Sequence, residues 1–175
     1  MKKLLLFAFI LCSLTCSAQK HKSFYYDGIE LRNVKKWTIV PSKDASITTI
    51  TCIQLPYQLQ ITKQSIGKNF DATRHLENTI EQLMEINLMS NKKSPKIKEV
   101  SDIYDGYVNN IPAKCVNIIY TKNNTTCLYV FTIHDQMFVI NCTGVGPVKK
   151  IQLLFDHILS TFTYNPETNP YGSLF

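Results

Sequence analysis

The spacing of hydrophobic positions changes along the chain, and each change marks a different kind of element. Between residues 24 and 61 apolar and polar residues alternate in short runs: Phe24 to Tyr26, Ile29 and Leu31 around Asp27-Gly28, Trp37 to Val40, Ile47 to Ile53, then Leu55, Tyr57, Leu59 and Ile61. Thr, Ile and Val dominate, and Pro41, Asp44 and Pro56 interrupt them, which predicts strands joined by turns. From Asp71 to Asn91 the period lengthens. Leu76, Ile80, Leu83, Met84, Asn87 and Leu88 fall at helical spacing, Glu77, Glu81 and Glu85 lie on another side, and Asp71 stands where an N-cap belongs. An amphipathic helix laid on a sheet is expected, ended by Asn91 to Pro95 because the residue before a proline resists the α region.

Strand spacing returns from Ile97 to Thr143, and two turns set an expected register. A two-residue turn at Asn123-Asn124 puts Val116, Ile118 and Tyr120 opposite Phe131, Tyr129 and Cys127. A second at His134-Asp135 puts Ile133 opposite Gln136, Phe131 opposite Phe138, Tyr129 opposite Ile140, and Cys127 opposite Cys142. Both turns send the same residues to one buried face. A final helix is predicted to start at Pro147 and to carry Val148, Ile151, Leu154, Phe155, Ile158, Leu159 and Phe162 on one stripe. Beyond Tyr164 the composition turns to Asn, Pro and Gly, the mark of a mobile tail.

The N-terminus changes the picture from fold to compartment. Met1, Lys2 and Lys3 are followed by an apolar run from Leu4 to Leu14 and by Cys16-Ser17-Ala18, the layout of a secretion signal cut before Gln19. The run is shorter than the ~20 residues that cross a bilayer, so no integral span is expected in the mature chain. Three segments result: a signal at 1–18, one domain at 19–164 and a flexible tail at 165–175. The protein is therefore expected to be exported, periplasmic or extracellular, with a lipid anchor at Cys16 as the alternative. The formal net charge is +6. Its lysines are scattered as Lys35-Lys36, Lys92-Lys93 and Lys149-Lys150 rather than gathered in one stripe, which argues against a nucleic-acid partner.

Four cysteines follow the signal: Cys52, Cys115, Cys127 and Cys142. The hairpin register selects a Cys127 to Cys142 disulfide, since directly opposed strand residues lie about 4.5 to 5.5 Å apart at Cα. Cys115, on the opposite face of its strand from Val116, is left for Cys52 or unpaired; four buried thiols are the alternative. No cysteine or histidine spacing fits a zinc site. Gly144-Val145-Gly146 runs from a strand into a helix, and with Lys149 and Lys150 it could hold an anion. The third glycine of a dinucleotide fingerprint is missing, however, and the flanking strands are hairpins, so a plain strand-to-helix turn fits better. His75, His134 and His157 have no triad partners, Cys115 has no identifiable base, and no Gly-x-Ser-x-Gly occurs, so neither enzyme activity nor a cofactor is expected. Trp37, Tyr25, Tyr26 and Tyr57 could line a groove, although strand aromatics usually serve the core.

Short strands with Trp37-Thr38-Ile39, one long helix, hairpin-linked strands beginning Ile111-Pro112-Ala113, and a C-terminal helix closing on Leu159-Ser160-Thr161-Phe162 follow one another in order. Over residues 24 to 164 this arrangement resembles the PsbP-like and DcrB-like sandwich proteins. The resemblance implies an α+β fold, an antiparallel β-sheet with one long helix and a C-terminal helix packed on it as a PsbP-like α/β/α sandwich, and a non-catalytic role. The four cysteines and the Asn-Pro tail depart from the family pattern. The expected function is an exported accessory module that binds a protein partner through the open part of its sheet or its loops, immunity-type binding of a toxin being one version. A small-ligand or anion carrier using Gly144 to Lys150 is the reading from another class.

Overall fold

A computed structural model describes residues 23–67, 69–90 and 94–167. The expected signal segment and the tail from residue 168 onward lie outside the described residues.

Among the described residues five strands precede the first helix: β1 (Ser23–Tyr26), β2 (Ile29–Arg32), β3 (Thr38–Asp44), β4 (Ile47–Gln54) and β5 (Tyr57–Ser65). Helix α1 (Ala72–Met89) follows. After it come β6 (Ile97–Val100), β7 (Tyr104–Val108), β8 (Ile111–Tyr120), β9 (Asn124–Ile133) and β10 (Gln136–Val145), then α2 (Val148–Leu159) and the short β11 (Thr163–Tyr164). The main antiparallel sheet runs in the order β3, β4, β5, β10, β9, β8, β6, with β7 also paired to β8, while β1, β2 and β11 form a small separate sheet. The strands expected before α1 are all present, and each α-helix takes one face of the main sheet, as the α+β reading required.

Alternation along the strands sorts side chains into two cores. Ile50, Cys52, Leu59, Ile61, Tyr129, Phe138, Ile140 and Cys142 meet Ile151, Phe155, Ile158 and Leu159 of α2, together with Ile29 and Leu31 of the small sheet. On the opposite face Val116, Ile118, Leu128, Val130 and Met137 meet Leu76 of α1, with Ile80 and Leu83 packed beside them. Phe131, Phe138, Phe162 and Tyr164 form an aromatic cluster with ring centroids 5.0 to 5.5 Å apart, joining β9 and β10 to the segment after α2.

The His134-Asp135 turn has the expected length. Phe138 pairs with Phe131, Ile140 with Tyr129 and Cys142 with Cys127, and His134 adopts a left-handed φ of 55°. The β8–β9 connection is longer than expected. Thr121–Asn123 fill it, with Lys122 and Asn123 both left-handed, so Val116 pairs with Leu128 and Asn117 with Cys127. The shift is an odd number of residues and therefore reverses the face: Val116, Ile118 and Tyr120 look toward α1, not toward Cys127, Tyr129 and Phe131.

Both helices are trimmed relative to their sequence stripes. Asp71 caps α1, accepting hydrogen bonds from the Thr73 and Arg74 amides at 2.8 and 3.2 Å. Its C-terminal end is held by Lys96, whose ammonium donates to the carbonyls of Asn87 and Ser90 at 2.7 and 2.8 Å. Leu76 alone is buried, while Met84 and Leu88 point outward, 43% and 82% exposed. Pro147 is the N-cap of α2 in an extended conformation, so the helix begins at Val148. Phe162 is buried but lies past the helix end, where Asn109 donates to its carbonyl at 2.8 Å.

A polar cluster ties the small sheet to the large one. Asp27, in the β1–β2 turn, accepts from Lys43 at 2.8 Å and from Lys63 at 2.5 Å, and Thr48 donates to it as well. Lys63 is buried and also donates to the Asp27 carbonyl at 2.7 Å. Burial alone would raise the Asp27 pKa, but the hydrogen bonds from Lys43, Lys63 and Thr48 and the Lys63 charge hold it below the ordinary carboxylate value. A folded pKa below the unfolded one stabilises above the unfolded value and is lost as pH falls through the folded one. Asp27→Asn should cost about 2 kcal/mol at neutral pH, where it leaves Lys63 buried without its counter-charge. The difference from wild type, measured by urea unfolding, should shrink below about pH 4; a pH-independent difference would deny the charge any part in it.

Candidate functional site

The groups that could carry covalent chemistry are dispersed or sequestered. Cys142, Cys127 and Cys52 lie in one cross-strand row with Leu59 between Cys142 and Cys52, and Cys115 lies two residues along β8 from Asn117, the partner of Cys127. All four are buried free thiols under α2. Burial pushes Cys52, Cys115 and Cys127 up to about 12 and Cys142 well above its ordinary value, so none is a ready thiolate. Cys127 and Cys142 stand directly opposite, as expected from the turn. The suggested pairing of Cys52 with Cys115 is corrected by the topology: β4 and β8 are separated by β5, β10 and β9. That is about 19 Å at ordinary strand spacing, against a disulfide limit of about 7 Å.

The histidines do not converge. His75 packs its ring on Phe70 at 5.6 Å, His134 occupies a turn, and His157 lies on the outer side of α2. Among the described residues no group of His, Cys, Asp and Glu could hold a metal ion. No helix among them is long and apolar enough to cross a membrane.

The Gly144 to Lys150 turn is occupied by packing. A Cβ on Gly144 would come within 2.8 Å of Ile151 Cδ1 and closer still to the Tyr57 ring. The Gly146 amide donates to the Asn123 carbonyl at 2.8 Å, Thr125 donates to the Gly146 carbonyl at 2.6 Å, and the Lys150 ammonium sits 5.8 Å from the centre of the Tyr57 ring. The glycines thus serve close approach and a left-handed bend, with the Gly146 amide turned to its own chain rather than to an anion. Lys149 is exposed on the first turn of α2. The aromatic group divides: Trp37, Tyr26 and Tyr57 pack against the core, and Tyr25 stays 48% exposed.

Sequence reasoning expected an open part of the sheet without saying which strands would form it. Helix α1 packs over β8 and β9, leaving the same face of β3, β4, β5 and the far half of β10 half-buried or exposed among the described residues. Three cross-strand rows cross it: Ser42, Thr49, Thr62, Val139; then Val40, Thr51, Gln60, Asn141; then Thr38, Ile53, Gln58, Thr143. None of the side chains in these three rows is charged, although 18% of the chain is; in the next row, with Ile47 and Gln64, Asp44 brings a carboxylate to the edge of the face. The alternation of Thr and Gln along β4 and β5 was visible in sequence, but only the position of α1 shows that nothing of the described chain covers it.

The antiparallel sheet with a helix on each face and a small flanking sheet has the architecture of a PsbP-like α+β sandwich. Among solved structures the chain is similar to cyanobacterial PsbP (CyanoP) from Synechocystis sp. PCC 6803, with a TM-score of 0.58 and 15% identity over 86% of this chain and 97% of that one. It is also similar to a protein from Bacteroides thetaiotaomicron VPI-5482, with a TM-score of 0.51 and 10% identity over 86% of this chain and 51% of that one. No family model matches the chain, and no curated protein does. At these identities the likeness establishes the fold.

Gly144→Ala should destabilise the protein by about 1 to 3 kcal/mol, because Tyr57 and Ile151 must both retreat from the added methyl. A lowered urea midpoint with an unchanged slope is the expected record; an unchanged midpoint would mean that the contact yields freely.

Proposed function

We propose that this protein is an exported, non-catalytic accessory module of the bacterial envelope that binds a protein partner through the uncharged rows of β3, β4, β5 and β10. The observation that carries the reading is that face. Interface centres are depleted in charge, because a desolvated ion without a partner is costly, whereas Thr, Gln and Asn supply donors and acceptors at small desolvation cost. Elsewhere this basic chain spends its charges freely, with Lys35, Lys36, Lys114 and Lys149 all exposed or half-exposed. The signal-like N-terminus supports export, and the PsbP-like fold is compatible with an accessory role.

Export would place the cysteines in an oxidising compartment. There Cys127 and Cys142, opposed across β9 and β10, would close a disulfide worth about 3 kcal/mol on the chain-entropy model. Peptide mapping of the unreduced protein from the envelope should recover them linked; free thiol at Cys127 would rule the bond out.

Capture of a partner from envelope extracts tests the interface itself. The double variant Thr51→Lys with Gln60→Glu places opposite charges on directly opposed residues, so the sheet should hold, while the charges would have to be desolvated on docking. Wild type should retain a stoichiometric protein that the double variant loses at an unchanged melting temperature. Equal capture by both would move the interface elsewhere, and a captured toxin would specify the immunity-type version.

A further inference from the structure

A groove of about 420 Å³ opens on the α2 side of the sheet, away from the uncharged rows, between the β2–β3 connection and the last turns of α2. Its size falls in the range of small-molecule sites, roughly 300 to 1,000 Å³. Leu154 and Ile158 and the indole of Trp37 form an apolar wall, and Trp37 is itself held by Phe155, 5.6 Å away between ring centroids. Around that wall stand Lys35, Lys36 and His157, with the amides of Asn33 and Gln54. No carboxylate of the described residues lines the groove. Among the described residues neither Lys35 nor Lys36 is in an ion pair, whereas Lys43, Lys63 and Lys114 each have an acidic partner.

The connection carrying these groups is anchored. Val34 is buried, the Trp37 amide donates to the Val34 carbonyl at 2.9 Å, and Asn33, left-handed at φ 62°, donates through Nδ2 to the His157 carbonyl at 3.2 Å. The Asn33 bond ties the loop directly to the helix that forms the other wall. The lysines are thus carried on a loop fixed beside an aromatic surface, so less ordering remains to be done when a ligand enters.

We infer that this groove binds a small organic carboxylate with a planar apolar body, the ring lying on Trp37 and the carboxylate meeting Lys35 and Lys36. Apolar wall and cationic rim call for different halves of one molecule: a neutral aromatic would satisfy only the first, a simple inorganic anion only the second. Exposed ammonium groups act as point charges, so the electrostatic part of the binding should weaken with salt.

Trp37 is the single tryptophan of the chain, so its fluorescence reports on the groove without a label. The probe is 1-naphthoate, set against the neutral 1-naphthylmethanol and against acetate. Naphthoate should change the Trp37 emission saturably, with an affinity at least about tenfold tighter than either control and weaker at high salt. Lys35→Ala with Lys36→Ala should weaken it by about tenfold or more, the loss expected for charge-assisted contacts, at an unchanged melting temperature. Calorimetry on Trp37→Phe, in which the fluorescence is absent, should show weaker binding still driven by charge. Absence of saturable binding to wild type, equal binding of naphthylmethanol, or naphthoate binding unaltered by loss of both lysines would each overturn the inference. None of these outcomes depends on the partner face, which lies across the sheet.

Discussion

The parity of the β9–β10 hairpin is the constraint on which the rest of the structure depends. Because side chains alternate with a period of two, a two-residue turn at His134-Asp135 sets Cys127, Tyr129 and Phe131 opposite Cys142, Ile140 and Phe138 and sends all six toward α2. β10 then carries the same face across to β5, where Ile140 meets Ile61 and Cys142 meets Leu59. A slip of one residue would bury Asn141 and Thr143 and expose Phe138, removing the surface on which Phe155 and Phe162 rest.

That shared face also explains how the chain's ends are gathered. Phe131 and Phe138 stack, and Phe162 meets both rings edge-on at the point where the chain leaves α2; β11 continues from there to pair with β2. Gly28 can sit beneath Tyr164 and Asn165 only without a Cβ, which would lie 2.8 Å from Tyr164 Cε2 and 2.7 Å from the Asn165 carbonyl oxygen. The Asp27 cluster closes the other side of this junction, where Lys63 lies 5.2 Å from the centre of the Tyr164 ring. Aromatic packing thus sets the contact, and a hydrogen-bonded charge cluster fixes its registration, since a buried lysine tolerates few arrangements.

The two helices leave different things behind on the two faces. α2 covers its face deeply and hides all four cysteines of the described residues, which keeps those thiols from the surface. α1 is amphipathic but covers only part of its side, so one half of that face is core and the other is an open sheet whose three adjacent rows from Ser42 to Thr143 carry no charge. Among the described residues this packing leaves accessible an extended sheet face on one side and, on the other, a small groove beside Trp37.

The strand-rich halves, both helices and the β9–β10 register were legible in sequence, because period and turn length are local properties that act through the backbone. The α+β class followed from them, and the resemblance to the PsbP-like proteins implied the sandwich. The β8–β9 register was not legible: Asn123-Asn124 reads as a two-residue turn, yet Lys122 also takes a left-handed conformation and lengthens the connection, which no rule of turn composition requires. The outward positions of Met84 and Leu88 depend on where α1 ends relative to the sheet, and the separation of Cys52 from Cys115 on strand order, which long-range pairing alone decides. Both surfaces were likewise settled only by tertiary structure, since Gln60 and Asn141, or Lys35 and His157, are brought together by the packing of elements and not by their spacing along the chain.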